Sequence, residues 1–100
     1  MVKHIILWKL KDGYTAEEAS AIKTRIKEGL EGLVGVVPGL IEVKVAIGAL
    51  PSSNTDICLD STCEDEAALA VYAAHPAHVK VKDEDIVPYV CLRSCIDFEI

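Results

Sequence analysis

The sequence has no dense cluster of lysine or arginine, no CxxC pair and no long apolar segment near its start. Its formal net charge of −6 and scattered basic residues argue against binding to nucleic acid or to an anionic membrane surface. The opening apolar run is interrupted by His4 and Lys9, is too short to span a bilayer, and does not have the layout of a signal peptide. We therefore expect a cytoplasmic protein with neither a nucleic-acid partner nor a membrane partner.

The sequence also lacks cysteines and histidines at the spacings that are typical of metal sites. The four cysteines, Cys58, Cys63, Cys91 and Cys95, match no common zinc site, and without a secretion signal they are expected to be reduced, mostly packed thiols. The histidines have no carboxylate at a convincing ligand spacing. We expect no metal site and no cofactor.

Apolar residues are abundant. They make up 51% of the 100 residues, a large share for a small domain with much surface. The excess predicts a second buried surface, most simply a homodimer interface. No repeat, low-complexity tract or linker divides the chain, so residues 1–100 are expected to form a single domain.

Hydrophobic periodicity predicts the element order βαββαβ. The predicted bounds are a strand over residues 2–10, a helix capped by Thr15 and ending near Val36, strands over 41–47 and 56–62, a helix from Glu64 to near His75, a charged surface stretch over 80–85, and a strand over 89–100. This order is typical of an α+β ferredoxin-like sandwich with two helices on one sheet face. Because the first strand is also apolar on its other face, we expect two sheets to meet in a dimeric α/β barrel.

The segment from Tyr72 to His78 holds two of the three histidines and one of the three tyrosines. His78 could act as a general base, because an imidazole titrates near neutral pH. Alternatively it caps a helix or bonds a loop carbonyl. Tyr72 could orient His78 or a ligand, or pack beside Leu69. His75 precedes Pro76 and is interpreted as a structural cap.

The first strand places His4, Ile6 and Trp8 on one face, which we expect to look toward the helices. These side chains could line a hydrophobic ligand cavity. The alternative is that Trp8 is core and that His4 is a core histidine bonded to one partner.

The chain resembles the stress-responsive α/β-barrel (Dabb) family from end to end. The likeness rests on the opening Val2–Lys11, on Val37-Pro38-Gly39-Leu40, on the signature Tyr72-x-x-His75-Pro76-x-His78, and on the closing Ile96–Ile100. It implies a ferredoxin-like protomer and a dimer whose two sheets form a barrel.

One plant member of this family is a polyketide cyclase that performs an aldol condensation. The resemblance implies that His78 is the base, that Tyr72 is its neighbour, and that His4 lines the pocket. A pocket tyrosine and a pocket histidine of the cyclase align with Leu30 and Ile57, which would make the pocket of this chain more apolar. The predicted substrate-binding residues are therefore His4, Ile6, Trp8, Leu30 and Ile57.

Three functional hypotheses remain open. The first is a pocket for a hydrophobic carbonyl compound, with acid–base chemistry by His78 and Tyr72. The second is a noncatalytic stress-associated binding or assembly protein, in which the histidines are structural. The third is a cofactor-free monooxygenase, which rests on analogy between folds alone.

Overall fold

A computed structural model describes residues 1–100 as a four-stranded antiparallel sheet with helices on one face. The strands lie in the order β2-β3-β1-β4. The elements are β1 (Val2–Leu10), α1 (Ala16–Glu31), β2 (Leu40–Ala46), β3 (Ile57–Cys63), α2 (Glu66–Ala74), α3 (Pro76–Val81), a π-helical segment (Lys82–Ile86) and β4 (Val90–Glu99). The predicted ferredoxin-like α+β fold is confirmed, and no helix combines the length and apolar character needed to cross a membrane.

The start of α1 follows from local chemistry. The Thr15 hydroxyl accepts a hydrogen bond from the Glu18 amide at 3.1 Å, and the Glu18 carboxylate accepts one from the Thr15 amide at 3.0 Å. This capping box satisfies two amides that the helix itself leaves unpaired. The helix ends at Glu31 with Gly32 as its cap, earlier than the predicted end near Val36, because glycine weakens helix and favours turns.

One face of β1 forms the centre of the core. Its even-numbered residues, Ile6 and Trp8 among them, are buried beneath the helices as predicted. They pack with apolar residues of α1, β2 and β3 into a continuous cluster. Trp8 therefore belongs to the core, and it also lines a neighbouring cavity.

The uncovered sheet face carries an apolar stripe. Strand pairing sets Ile5 opposite Ile96 and Lys9 opposite Leu92, so these residues share the face away from the helices. Ile96 is 60% exposed, and Leu7, Leu92 and Phe98 are also exposed. This face is unusually apolar for a solvent-facing sheet surface.

The helical layer is interrupted at Pro76. His75 has extended backbone between α2 and α3, and its imidazole Nδ1 accepts the Ala77 amide proton at 3.1 Å. The predicted role of His75 as a structural cap is confirmed, at the start of α3. The predicted charged surface stretch is largely exposed, and it is helical, because α3 continues directly into the π-helical segment, which buries Ile86.

Candidate functional site

The break at Pro76 brings Tyr72 and His78 together. Tyr72 lies in the last turn of α2 and His78 in α3. Their ring centroids are 4.3 Å apart, with the ring planes inclined by 41°. A continuous helix would place two residues six positions apart on different faces, so the change of direction at Pro76 creates this contact.

The hydrogen bond of His78 identifies its tautomer. The ring Nδ1 lies 3.2 Å from the Ala73 carbonyl oxygen. A carbonyl oxygen only accepts, so Nδ1 carries the proton and, in the neutral ring, Nε2 carries the lone pair. The bond to a loop carbonyl that the structural alternative predicts is therefore present, but it occupies only one of the two ring nitrogens.

The environment of His78 favours its neutral form. Burial lowers the pKa of His78 below its ordinary value of 6.5. The hydrogen bond to Ala73 opposes this shift, and the positive charge of nearby Lys82 adds a smaller lowering. His78 is consequently an unprotonated imidazole at neutral pH, which is the form that accepts a proton.

Tyr72 has a buried hydroxyl without a protein hydrogen-bond partner. The residue is only 1% exposed. Burial, followed by the neighbouring Cys63 thiol, raises the pKa of Tyr72, so its hydroxyl stays protonated near neutral pH. An unpaired buried hydroxyl is costly for a folded protein, and such groups occur at sites with another role.

His4 contacts an acidic neighbour that the sequence analysis missed. Its Nδ1 is hydrogen-bonded to Asp97, which lies directly opposite on β4. The sequence analysis considered ligand spacing along the chain and not cross-strand pairing, so it did not identify this carboxylate. The Cys95 thiol lies beside both groups, 3.8 Å from His4 Nδ1 and 3.6 Å from Asp97 Oδ1. His4, Cys95 and Asp97 therefore form a compact set of potential metal ligands.

A cavity of about 140 Å³ lies between the sheet and α3. Its lining residues are His4, Ile6, Trp8, Tyr72, Ala73, His78, Lys82, Ile86, Val87, Val90 and Arg93. Five of the seven predicted site residues thus meet here. Leu30 and Ile57 do not line the cavity, because both are sealed inside the core.

Two cations at the cavity were not predicted. Lys82 follows His78 by one helical turn, and Arg93 pairs with Trp8 across β1 and β4. The helical spacing of four residues gave a signal for Lys82. Arg93 required knowledge of the strand register. The two side chains give the cavity a positive edge.

Comparison with known proteins agrees with this architecture. The sequence model of the stress-responsive A/B barrel domain, Dabb, matches residues 2–100. The chain belongs to this family. The stress-response A/B barrel domain-containing protein HS1 of Arabidopsis thaliana is 35% identical over 86 residues, which cover 79% of this chain and 72% of that protein.

Solved structures share the Dabb fold. A dimeric protein of unknown function with a ferredoxin-like fold from Bacteroides fragilis superposes with a TM-score of 0.92 at 29% identity, covering 99% of this chain and 95% of that chain. Hydroxynitrile lyase from Passiflora edulis superposes with a TM-score of 0.74 at 16% identity, covering 99% and 92% of the two chains. At that identity the likeness shows the fold alone.

Proposed function

We propose that this Dabb protein is a homodimeric enzyme that moves a proton on a small hydrophobic carbonyl compound, with His78 as the base. The observation that carries the proposal is the contact between a neutral His78 and the ring of Tyr72, which both line a mostly apolar cavity, together with a Tyr72 hydroxyl that has no protein hydrogen-bond partner. His78 Nε2 has a free lone pair, and the Tyr72 hydroxyl has a proton to donate. A base and a hydrogen-bond donor are the two groups required to remove a proton next to a carbonyl group.

The proposed step assigns one role to each side chain. His78 Nε2 takes the proton from the carbon beside the carbonyl as the C–H bond breaks. The electron pair moves onto the carbonyl oxygen, which accepts a hydrogen bond from the Tyr72 hydroxyl. The resulting enolate can attack a second carbonyl, as in an aldol reaction, or take back a proton. The nearby cations Lys82 and Arg93 favour negative charge on the reacting molecule.

The size of the cavity restricts the substrate. A cavity of about 150 Å³ lined by apolar side chains holds one benzene molecule. The cavity of about 140 Å³ therefore fits the reacting end of a molecule with one six-membered ring. A larger ligand would extend past Lys82 and Arg93, where a carboxylate or thioester oxygen would find a positive partner.

Proton exchange with D₂O tests His78 without requiring the natural substrate. Cyclic and aryl ketones, with and without a carboxylate, would be followed by NMR for loss of the proton next to the carbonyl. We expect His78→Gln to slow the catalysed exchange by about 100-fold or more, since positioned acid–base catalysis contributes 10²–10⁴. The matched control is His75→Asn, which removes an imidazole from the same segment but retains a good helix cap.

The control separates catalysis from folding. Exchange should persist in His75→Asn and be lost in His78→Gln. Equal activity in the wild-type protein and His78→Gln would contradict the proposed base. Because the pKa of His78 is lowered, activity should fall as the pH is reduced, with its midpoint below pH 6.5. A midpoint above pH 6.5 would point to another group.

The homodimer is proposed from the apolar stripe on the uncovered face of β1 and β4. Packing two such faces together would bury Leu7, Leu92, Ile96 and Phe98, which are exposed in the protomer. The salt bridge between Lys3 and Asp60, at 2.9 Å, lies beside the stripe and suits a polar rim. The protein from Bacteroides fragilis is dimeric, which supports a dimeric state for this chain.

Light scattering coupled to size-exclusion chromatography tests the dimer. Ile96→Lys places a charge in the centre of the proposed interface and should produce monomers, because an unpaired buried charge is strongly unfavourable. The control Val71→Lys charges an exposed apolar residue of α2, on the opposite side of the sheet. It should remain dimeric. A monomeric wild-type protein, or a dimer that tolerates Ile96→Lys, would contradict the paired-sheet assembly.

A further inference from the structure

Three side chains of different chemistry converge on the helix-facing side of β1 and β4. The register pairs His4 with Asp97 and Ile6 with Cys95, so His4, Cys95 and Asp97 share that side. Their donor atoms all lie within 4.8 Å of one another. None of the three residues is the proposed base His78 or its neighbour Tyr72, and His4 is the one member of the cluster that also lines the cavity beside them.

We propose that His4, Cys95 and Asp97 bind a transition-metal ion of the Zn²⁺ or Co²⁺ class. Imidazole, thiolate and carboxylate are the ligands that Zn²⁺ takes in proteins. Ordinary zinc bond lengths in a tetrahedron place the ligand atoms about 3.4–3.6 Å apart. Cys95 Sγ lies 3.6 Å from Asp97 Oδ1 and 3.8 Å from His4 Nδ1. The remaining pair, His4 and Asp97, shares a proton that the metal ion would replace.

The ligand set selects against hard cations. Ca²⁺ and Mg²⁺ require many oxygen ligands, whereas this cluster offers a single carboxylate beside a sulfur and a nitrogen. Three protein ligands leave a fourth position of a tetrahedron for water or another molecule, the arrangement of an open zinc site and not of a closed structural one.

An open groove gives a cation access to the Asp97 side of the cluster. The groove has a volume of about 380 Å³ between α2 and the end of β4, and Asp97 is part of its wall. Two further carboxylates, Glu66 and Glu99, line it, and no lysine, arginine or histidine does. The negative lining attracts cations and repels anions. Because Cys95 and Asp97 face the helix side, pairing of the apolar faces in a dimer would leave this route open.

Binding has a defined proton balance. The Cys95 thiol loses its proton to solvent as the sulfur–metal bond forms. The proton between His4 and Asp97 also leaves Nδ1, to Nε2 or to solvent, so that the Nδ1 lone pair faces the metal ion. Binding is therefore accompanied by proton release, and no change of oxidation state is involved.

Titration of the metal-free full-length protein with Co²⁺ under reducing conditions tests the site. We expect saturable binding of one ion per protomer, a near-ultraviolet charge-transfer band from thiolate to cobalt, and competition by Zn²⁺. Cys95→Ser should abolish the band. Asp97→Asn should weaken binding by about 100-fold or more, because even partners outside the ligand shell contribute 10–100-fold. Both residues are exposed, and asparagine at position 97 keeps an oxygen that can accept the hydrogen bond from His4, so we expect the fold to persist in both variants.

Cys91→Ser is the matched control. Cys91 is an exposed free thiol on the same strand and is outside the cluster. Its substitution should leave the band, the stoichiometry and the proton release unchanged. A band that survives Cys95→Ser, or the absence of saturable Co²⁺ binding by the wild-type protein, would overturn the proposal.

Discussion

The strands β3 and β4 both pair with β1, yet their helix-facing residues differ in burial. His4 lies between Ser61 and Asp97, Ile6 between Leu59 and Cys95, and Trp8 between Ile57 and Arg93. The three residues on β3 are buried, whereas the three on β4 are exposed. The helix-facing residues of β3 therefore contribute to stability, whereas those of β4 present thiol, carboxylate and guanidinium groups.

The helices explain the difference. The sixteen-residue α1 is unbroken and buries Ile22, Ile26 and Leu30, and it packs against β2. On the other side, α2 and α3 are short and separated at Pro76, and β4 is the edge strand. The layer that leaves β4 uncovered also forms the cavity beside His78 and the groove beside Asp97. Incomplete covering of one edge is thus the structural origin of both proposed sites.

Replacing a helix-facing side chain with alanine should change stability far more on β3 than on β4, and this is the largest contrast that we expect. Leu59→Ala on β3 should lower the free energy of unfolding by about 2–5 kcal/mol, as expected for a buried leucine that leaves a cavity. Cys95→Ala on β4 should change it by no more than about 0.5 kcal/mol, as for most exposed positions. Urea denaturation followed by circular dichroism measures both. Similar losses for the two variants would remove the distinction between the strands.

The packing of α2 against the start of β2 should be sensitive to substitution of Gly39. This glycine has a φ of +79°, and an added Cβ would lie 2.6 Å from the Cβ of Ala68 in α2. Gly39→Ala should therefore destabilise the fold by about 1–3 kcal/mol through overpacking and backbone strain.

Ala68→Gly provides the control for that contact. It removes the atom that clashes, so the double variant should recover part of the loss beyond the sum of the single effects. Strictly additive losses would show that backbone strain alone acts at Gly39. Thermal and urea unfolding of the four proteins in this cycle supply the comparison.

A smaller change in stability, this time an increase, is expected for a substitution at Tyr72 beside the cavity. Tyr72→Phe removes a buried hydroxyl that has no protein partner, so it should raise the free energy of unfolding by about 1 kcal/mol. The same substitution should weaken ketone binding and slow proton exchange, because the donor to the carbonyl oxygen is lost. A variant that is both less stable and fully active would contradict the role of this hydroxyl.

The sequence predicted the elements better than their contacts. Alternation along β1, the capping box at Thr15 and the order βαββαβ depend on local spacing, and the structure confirms all three. The contact between His4 and Asp97 depends on a register between strands that lie 93 residues apart. A shift of one residue would turn Asp97 to the other face, so spacing within the sequence does not predict the pair.

The residues predicted for the cavity also divide into those that local patterns identify and those that depend on packing. His4, Ile6, Trp8, Tyr72 and His78 were predicted from one strand face and one short motif, and all five line it. Leu30 and Ile57 were assigned by alignment with a related pocket, and they are core residues here. Their positions depend on how α1 is packed, which a family motif in α2 and α3 does not determine.

The most direct test of the central claim is a pH titration of His78 by NMR, with ¹⁵N shifts that distinguish the two ring nitrogens. The account predicts a neutral ring with its proton on Nδ1, hydrogen-bonded to Ala73, and a pKa below 6.5. This result would leave Nε2 as the available base at neutral pH. A proton on Nε2, or a pKa above 6.5, would contradict the proposed role of His78.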